Sequence, residues 1–217
     1  MKVALLTLLA VGIGLFGGRA ATPDAQFPAR PPAEPVRFRI DPARSKFMVV
    51  APRGGLAWFK GHSHYIAIRD FDGTAELTLD VVNPASLQMT VRAASLEETG
   101  ADFTDQQKGI IKKELEEIVL ETAKYPEISF KSTSVSGAPK GGTFDVRIKG
   151  DLTLHGVTRP IEIPATVTVT GDTLRAVGKF EINRKKFNVN ATEAFHGFVR
   201  VKHEMRFTFD IVAQRSA

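Results

Sequence analysis

Hydrophobic and polar residues alternate with a period of two along most of the chain from Val36 onward. Successive side chains of a β-strand point to opposite faces, so each such run predicts a strand with one dry face and one wet face. The alternating segments are 75–81, 87–91, 144–154, 161–169, 174–182 and 205–211. Turn signals that separate strands stand at Asp72-Gly73, Asn83-Pro84, 137–142 and Gly171-Asp172. Many such strands in series predict an all-β domain, either a closed antiparallel barrel or a sandwich.

One segment, 102–120, replaces this alternation with helical spacing. Its apolar residues recur every three or four positions, and charged residues of both signs occupy the other side. The apolar set is Ile110, Ile111, Leu115, Ile118 and Val119. Thr104 and Gln107 stand at the spacing of a capping box. We predict one amphipathic helix, inserted in the β-domain, that packs on the barrel or plugs it. The acids on its polar face favour this role over that of a membrane-surface helix.

Alternation alone does not show whether the apolar faces point into a barrel or out toward lipid. The polar faces carry mixed charges, and the chain has only two Tyr and one Trp for aromatic girdles. We therefore expect the apolar side chains to point inward. A barrel of about eight strands is either filled by side chains or holds one slim ligand. Small inward residues leave both alternatives open: Ala75, Ala93, Ala165, Ala176 and Gly178.

The first 35 residues have a different character. Residues 1–20 combine Lys2, an apolar run at 3–16 and small residues near Ala20, which predicts a signal peptide cleaved near Ala20. The run is too short to span a bilayer as a helix. Residues 21–35 are rich in proline and are expected to form a linker ahead of the domain at 36–213. We predict a periplasmic or secreted protein.

Composition, net charge and missing motifs exclude several classes of functional site. The chain has no cysteine, which excludes disulfides and thiolate catalysis. The net charge of +5 falls to about +3 when Lys2 and Arg19 are removed, so we expect no nucleic-acid partner. No phosphate-binding loop, dinucleotide fingerprint or nucleophile elbow is present. The basic run at 184–186 is expected to be a solvated turn, and His155 to have a structural role in a hairpin turn.

Three histidines could share one site. His62 and His64 lie two apart on a predicted strand, and His203 is in phase with the dry face of the last strand. Such a set can bind zinc. The interpretation we favour is that they are buried or line the barrel mouth, and that they hydrogen-bond their neighbours or a ligand head group. We therefore assign no metal and no cofactor.

Several motifs together resemble the YceI-like family. They are Ile40-Asp-Pro-Ala-Arg-Ser45, Asp70-Phe-Asp-Gly73, and the segments 120–133, 150–160 and 180–189. The resemblance covers about 36–213, and the segment 58–64, with its Gly-His-Ser-His, is similar to one branch of the family. The resemblance implies an extended lipocalin-like antiparallel barrel of about eight strands in an exported bacterial protein. It also implies an apolar tunnel for a long isoprenoid chain, and no catalytic residues.

We thus predict an exported binding protein, not an enzyme, that sequesters or carries a polyisoprenoid or quinone-like molecule. Transient membrane contact and a homodimer are further expectations. The alternatives are a metal-dependent enzyme using the three histidines, and a stress-response module with a solid core. The residues expected to bind the ligand are Leu77, Leu79, Met89, Val91, Phe130, Val146, Ile148, Leu152, Ile163, Val167, Phe180, Phe207, Phe209, Trp58, His62, His64 and His203.

Overall fold

The structure is a computed structural model, and it describes residues 34–55, 59, 61–79, 81–140, 142–191 and 200–216. Thirteen strands form in these residues. The predicted signal peptide at 1–20, nearly all of the linker at 21–35, and Trp58 lie outside this range. The described residues belong to one unit, Ala33–Ala217. The strands are β1 (Val36–Ile40), β2 (Lys46–Ala51), β3 (Arg53–Gly54), β4 (His64–Ile68), β5 (Phe71–Leu77), β6 (Ala85–Arg92), β7 (Leu96–Glu98), β8 (Glu127–Lys140), β9 (Thr143–Leu154), β10 (Val157–Thr170), β11 (Thr173–Asn183), β12 (Arg200–Val201) and β13 (Glu204–Arg215).

Eight of these strands close into an antiparallel barrel. The order around the ring is β1-β5-β6-β8-β9-β10-β11-β13, and β13 pairs with β1 to complete it. Closure gives every strand of the ring two neighbours, so the ring has no free edge. The predicted class, an all-β barrel of about eight strands with one helix, is confirmed.

A three-stranded extension continues the wall at one end of the barrel. β2, β4 and β7 pair in that order, and β2 is attached to the first half of β13. A 3₁₀ turn separates β1 from β2. The Asp41 carboxylate caps this turn by accepting the amides of Ala43 and Arg44, and Ser45 Oγ bonds the main chain of Val212 on β13. This bend carries the wall from the ring into the extension.

The predicted helix lies at this same end. Helix α1 (Asp105–Glu114) begins at a capping box between Thr104 and Gln107 and continues into a π-helical turn, Leu115–Val119. The Lys112 ammonium bonds the main-chain carbonyls of Ala94 and Leu96, which ties the helix to β7. We call this end of the barrel, where α1, β7 and the β9–β10 turn lie, the helix end. None of the described helices is long and apolar enough to cross a membrane.

The predictions for Asp72-Gly73 and for the end of the strand through Val81 were wrong. Asp72-Gly73 is not a turn but lies inside β5, where the backbone of β6 passes so closely that a Cβ on Gly73 would lie 2.3 Å from the Gln88 carbonyl oxygen. A glycine in a strand can thus mark a close backbone approach instead of a turn. The strand predicted to run through Val81 ends at Leu77, and Val81 is half exposed, at 50%.

The outer face of the barrel carries cross-strand ion pairs, as expected for a surface in water. Arg175 and Asp210 form a bidentate pair at 2.5 and 2.7 Å between β11 and β13. The hydrogen bond from Arg175 lowers the pKa of Asp210 below its ordinary value. Lys140 and the Thr166 hydroxyl lower the pKa of Asp145 in the same way. The apolar face therefore points inward, as predicted.

Candidate functional site

The barrel encloses a cavity of about 500 Å³. This volume lies in the ~300–1,000 Å³ range of small-molecule sites. Apolar side chains from the ring form most of its wall, and α1 and the turn after it add Ile111, Leu115 and Val119. The predicted binding residues that line it are Leu77, Met89, Val91, Phe130, Val146, Ile148, Leu152, Ile163, Val167, Phe180, Phe207, Phe209, His62 and His64.

The interior is not filled by side chains. Met89, Phe180 and Phe207 point into the cavity yet are only partly buried, although they pack against the core cluster. In a filled core such side chains would be almost fully buried, since interiors pack at crystal-like density. The structure therefore does not support the alternative of a solid core.

The small inward residues serve two purposes. Ala75, Ala165 and Ala176 line the cavity and leave space in front of them. Gly178 leaves no such space, because the ring of Phe209 lies over it, and a Cβ at this position would be 2.5 Å from Phe209 Cζ. Ala93 is 2% exposed and belongs to the packed core.

The cavity follows the length of the barrel. Five residues of β9 line it in alternation, from Phe144 to Leu154. Ten residues of strand measure roughly 33 Å, or about 25 Å along the axis at a tilt of ~40°. A volume of 500 Å³ over that length averages about 20 Å² in cross-section. A long, narrow molecule fits this space better than a compact one.

Phenylalanine rings form a cluster within the wall. Phe180 and Phe207 stack with centroids 4.7 Å apart and planes 9° apart. Phe47 meets Phe207 at 6.2 Å and Phe209 at 6.5 Å, the latter edge to face. Aromatic pairs in these geometries stabilise one another beyond their buried area, so this part of the wall keeps its shape.

A histidine and a buried glutamate stand at the helix end of the cavity. The side chain of Glu98 is 0% exposed, and its Oε2 lies 2.8 Å from His64 Nδ1. Its Oε1 accepts the amides of Tyr65 at 3.1 Å and Gly100 at 2.6 Å. The His64 ring stacks on Phe103, with centroids 5.1 Å apart and planes 9° apart. Glu98 was not predicted, although it follows Leu96 at the two-residue spacing of an inward position.

A second buried charge was also missed. Arg184 is 5% exposed and lines the cavity, so its assignment to a solvated turn was wrong. Its guanidinium donates to the carbonyls of Lys202 at 3.2 Å and Val189 at 2.8 Å. Lys185 and Lys186 are exposed, as predicted for the run. The chain folds back over Arg184 because Asn188 adopts a left-handed conformation at the end of a 3₁₀ turn.

The remaining predicted site residues lie elsewhere. Leu79 packs against the core but does not line the cavity, because β5 leaves the ring at Leu77. His203 is not part of the wall either, since β13 begins after it, at Glu204. Trp58 is outside the described residues. Among the described residues, which include all three histidines, no group of three or more His, Asp or Glu side chains could hold a metal ion.

His155 occupies the tight turn between β9 and β10, with positive φ at both His155 and Gly156. Its Nε2 lies 2.7 Å from the Glu121 carboxylate, and its ring lies 4.4 Å from that of Tyr125. These contacts fasten the segment after α1 to the hairpin and stay clear of the cavity wall. The motif at 150–160 thus has a structural explanation.

The family model that matches the chain is the YceI-like domain, over residues 38–213. The chain belongs to the YceI-like family. Protein YceI of Escherichia coli O6:H1 is 31% identical over 199 residues, which are 87% of this chain and 88% of that protein. The resemblance inferred from the motifs is thereby confirmed, while the Gly-His-Ser-His branch stays a prediction.

Solved structures show the same fold. The Burkholderia cenocepacia protein BcnA matches this YceI-like chain with a TM-score of 0.64 and 22% identity, over 81% of this chain and 99% of BcnA. A polyisoprenoid-binding domain from Saccharophagus degradans matches with a TM-score of 0.57 and 13% identity, over 83% and 99%. At these identities the comparison supports the architecture only.

Proposed function

We propose that this protein is an exported carrier that holds a polyisoprenoid or quinone-like chain in the barrel. The observation that carries the proposal is the apolar cavity of about 500 Å³ that runs the length of β9. The family and the Saccharophagus domain, described as polyisoprenoid-binding, support a lipid-binding barrel over an enzyme.

The energetics suit a long apolar ligand. At about 30 Å³ for a group the size of a water molecule, the cavity holds on the order of 15–20 methylene-sized groups. At ~0.8 kcal/mol each, their burial yields about 12–16 kcal/mol, against association costs of ~4–15 kcal/mol. A chain that fills the cavity binds without an ionic contact, whereas a short chain does not.

Native mass spectrometry tests the proposal. Protein purified from the exporting host should carry the added mass of a long-chain apolar molecule, which solvent extraction releases for identification. The delipidated protein should then take up a C20 isoprenoid alcohol at one per chain. Protein that arrives empty and takes up no isoprenoid probe would contradict the proposal.

Export to the periplasm or the exterior is part of the same proposal. A carrier is useful where an apolar molecule crosses water, and the sequence at 1–20 has the features of a signal peptide. Fractionation of the exporting host, with N-terminal sequencing of the mature chain, should give a periplasmic or secreted protein that begins near Ala21. A cytoplasmic chain that retains Met1 would refute this part.

Transient membrane contact would let the carrier exchange its cargo. Ile110 and Ile118 on the helix segment are each 55% exposed, two turns apart on one side, while Ile111 and Leu115 face the cavity. Such exposed apolar residues beside the cavity can touch lipid. Sedimentation with phosphatidylglycerol vesicles should show weak binding that an Ile110→Ser, Ile118→Ser double variant abolishes. Self-association stays a prediction, which analytical ultracentrifugation tests.

A further inference from the structure

We propose that His64, positioned by Glu98, is the hydrogen-bond acceptor for a hydroxyl on the head group of the carried molecule. This inference rests on the proposed function, because it assigns the polar end of a ligand whose apolar part fills the barrel. Both His64 and the neighbouring His62 contribute to the cavity wall at the helix end.

The hydrogen bonds of Glu98 suit one tautomer of the ring. One carboxyl oxygen accepts the amides of Tyr65 and Gly100, and the other lies 2.8 Å from His64 Nδ1. In the tautomer that belongs to this proposal, Nδ1 donates to Glu98. The other nitrogen of the neutral ring, Nε2, is then a lone-pair acceptor.

The place of His64 in the wall makes that lone pair available to a ligand. Nδ1 and Nε2 project from the imidazole at a wide angle to each other, so Nε2 points away from the Glu98 carboxylate that Nδ1 contacts. The ring cannot turn freely, because one face stacks on Phe103 and Nδ1 is held at 2.8 Å from Glu98. A fixed acceptor at the edge of an apolar cavity is a preorganised site for one polar group.

The burial of Glu98 supports a functional use of the pair. A fully buried carboxylate costs free energy that only its hydrogen bonds offset. A glutamine could accept the same two amides without carrying a charge. What glutamate adds is orientation and tautomer control of a histidine, the role that carboxylates have behind many functional histidines.

The surrounding charges favour a neutral hydroxyl over an anionic head group. The Glu98 carboxylate lies against His64, and Asp102 lies 3.6 Å from His62 Nδ1, so two acids stand near this end. The cation of the wall, Arg184, has two main-chain carbonyls as partners. An alcohol or a phenol donates to Nε2 without bringing a charge toward the acids. We therefore assign the ligand class as a long apolar chain that ends in a hydroxyl.

Paired probes test the assignment. Binding of geranylgeraniol and of its methyl ether, which keeps the chain but cannot donate, is measured by titration calorimetry. The wild-type protein should bind the alcohol about five- to tenfold more tightly, the value of one net hydrogen bond. His64→Phe keeps the ring and its stacking and should bring this ratio to about one, with ether binding retained. Tyr65→Phe is the matched control, because Tyr65 neighbours His64 on β4 but is 46% exposed and does not line the cavity, and it should leave the ratio unchanged.

A second measurement serves if His64→Phe fails to fold. Nitrogen NMR of the wild-type imidazoles should show His64 protonated at Nδ1, and its Nε2 resonance should shift on addition of the alcohol but not of the ether. Glu98→Gln presents an amide N–H to Nδ1, which favours the tautomer protonated at Nε2, and it should therefore bring the alcohol preference to about one. Equal affinity for alcohol and ether, or a preference for geranylgeranyl phosphate, would overturn the assignment and leave the carrier proposal standing. Failure to bind any of the three chains would instead refute the carrier.

Discussion

A larger side chain that fills part of the cavity should raise the free energy of unfolding of the ligand-free protein and lower its affinity for the ligand. Ala176 faces the cavity from β11, between Val167 on β10 and Ile211 on β13. Ala176→Phe adds six carbon atoms, which occupy on the order of 180 Å³, or about a third of the cavity. The ligand loses up to ~5 kcal/mol of burial, and at least a tenfold loss of affinity is expected after the chain readjusts. The ring itself gains about 1.5–3 kcal/mol when it enters empty apolar space.

The neighbouring position offers the control. Val177 points outward and is 43% exposed, so Val177→Phe should change neither quantity by much. Affinity for a C20 isoprenoid alcohol is measured by titration calorimetry, and the free energy of unfolding by urea titration of delipidated protein. If Ala176→Phe destabilises the protein by ~1–3 kcal/mol, as overpacking a full core does, and leaves affinity unchanged, the interior is not the binding site.

Three further outcomes follow from particular contacts. Gly178→Ala should lower the free energy of unfolding by about 1–3 kcal/mol, because its methyl group would lie 2.4 Å from the main-chain oxygen of Pro164 and 2.5 Å from the ring of Phe209. Urea titration measures this change, and an unchanged midpoint would contradict it. Arg175 lowers the pKa of Asp210 in the folded state. The ion pair therefore stabilises the folded protein at pH values above the pKa that Asp210 has in the unfolded chain, and this stabilisation is lost as the pH falls through the pKa of the folded state. Asp210→Asn should therefore flatten the acid side of a stability–pH curve, and a slope equal to that of the wild type would refute this. Thr104→Ala removes half of the capping box and should cost ~0.5–2 kcal/mol in thermal unfolding, while Thr104→Ser should restore it.

The parts of the fold that depend on local pattern could be predicted from the sequence. Alternation places Val146 and Ile148 inward whatever strands stand beside them, and the capping box marks the start of α1 from four residues alone. The hollow interior could not be predicted this way. Ala176 leaves space while Gly178, two residues on, does not, because a ring from a distant strand covers the glycine. That outcome depends on the register between β11 and β13, which local pattern does not encode.

The buried charges were missed for a related reason. Arg184 stands in a run of three basic residues that is typical of a solvated turn, and its carbonyl partners include Lys202, 18 residues later. Glu98 meets His64 across 34 residues of chain. For Glu98 a signal did exist, because it shares the phase of the buried Leu96. A charged residue at an inward position of a short strand is worth examining for a partner.

The cavity couples the stability of this barrel to its occupancy. An apolar void of about 500 Å³, at ~24 cal/mol for each Å³, corresponds to a cost of about 12 kcal/mol, which is comparable to the whole stability of a typical domain. The chain has no disulfide to offset it, so the closed ladder of the ring must hold the wall open. A ligand that fills the void removes much of this cost, and binding to the folded state alone raises the free energy of unfolding with ligand concentration. If the protein is the carrier proposed above, the same closed ring that keeps the wall apart makes the ligand-bound protein the more stable form, and the bound chain should be retained until another apolar environment competes for it.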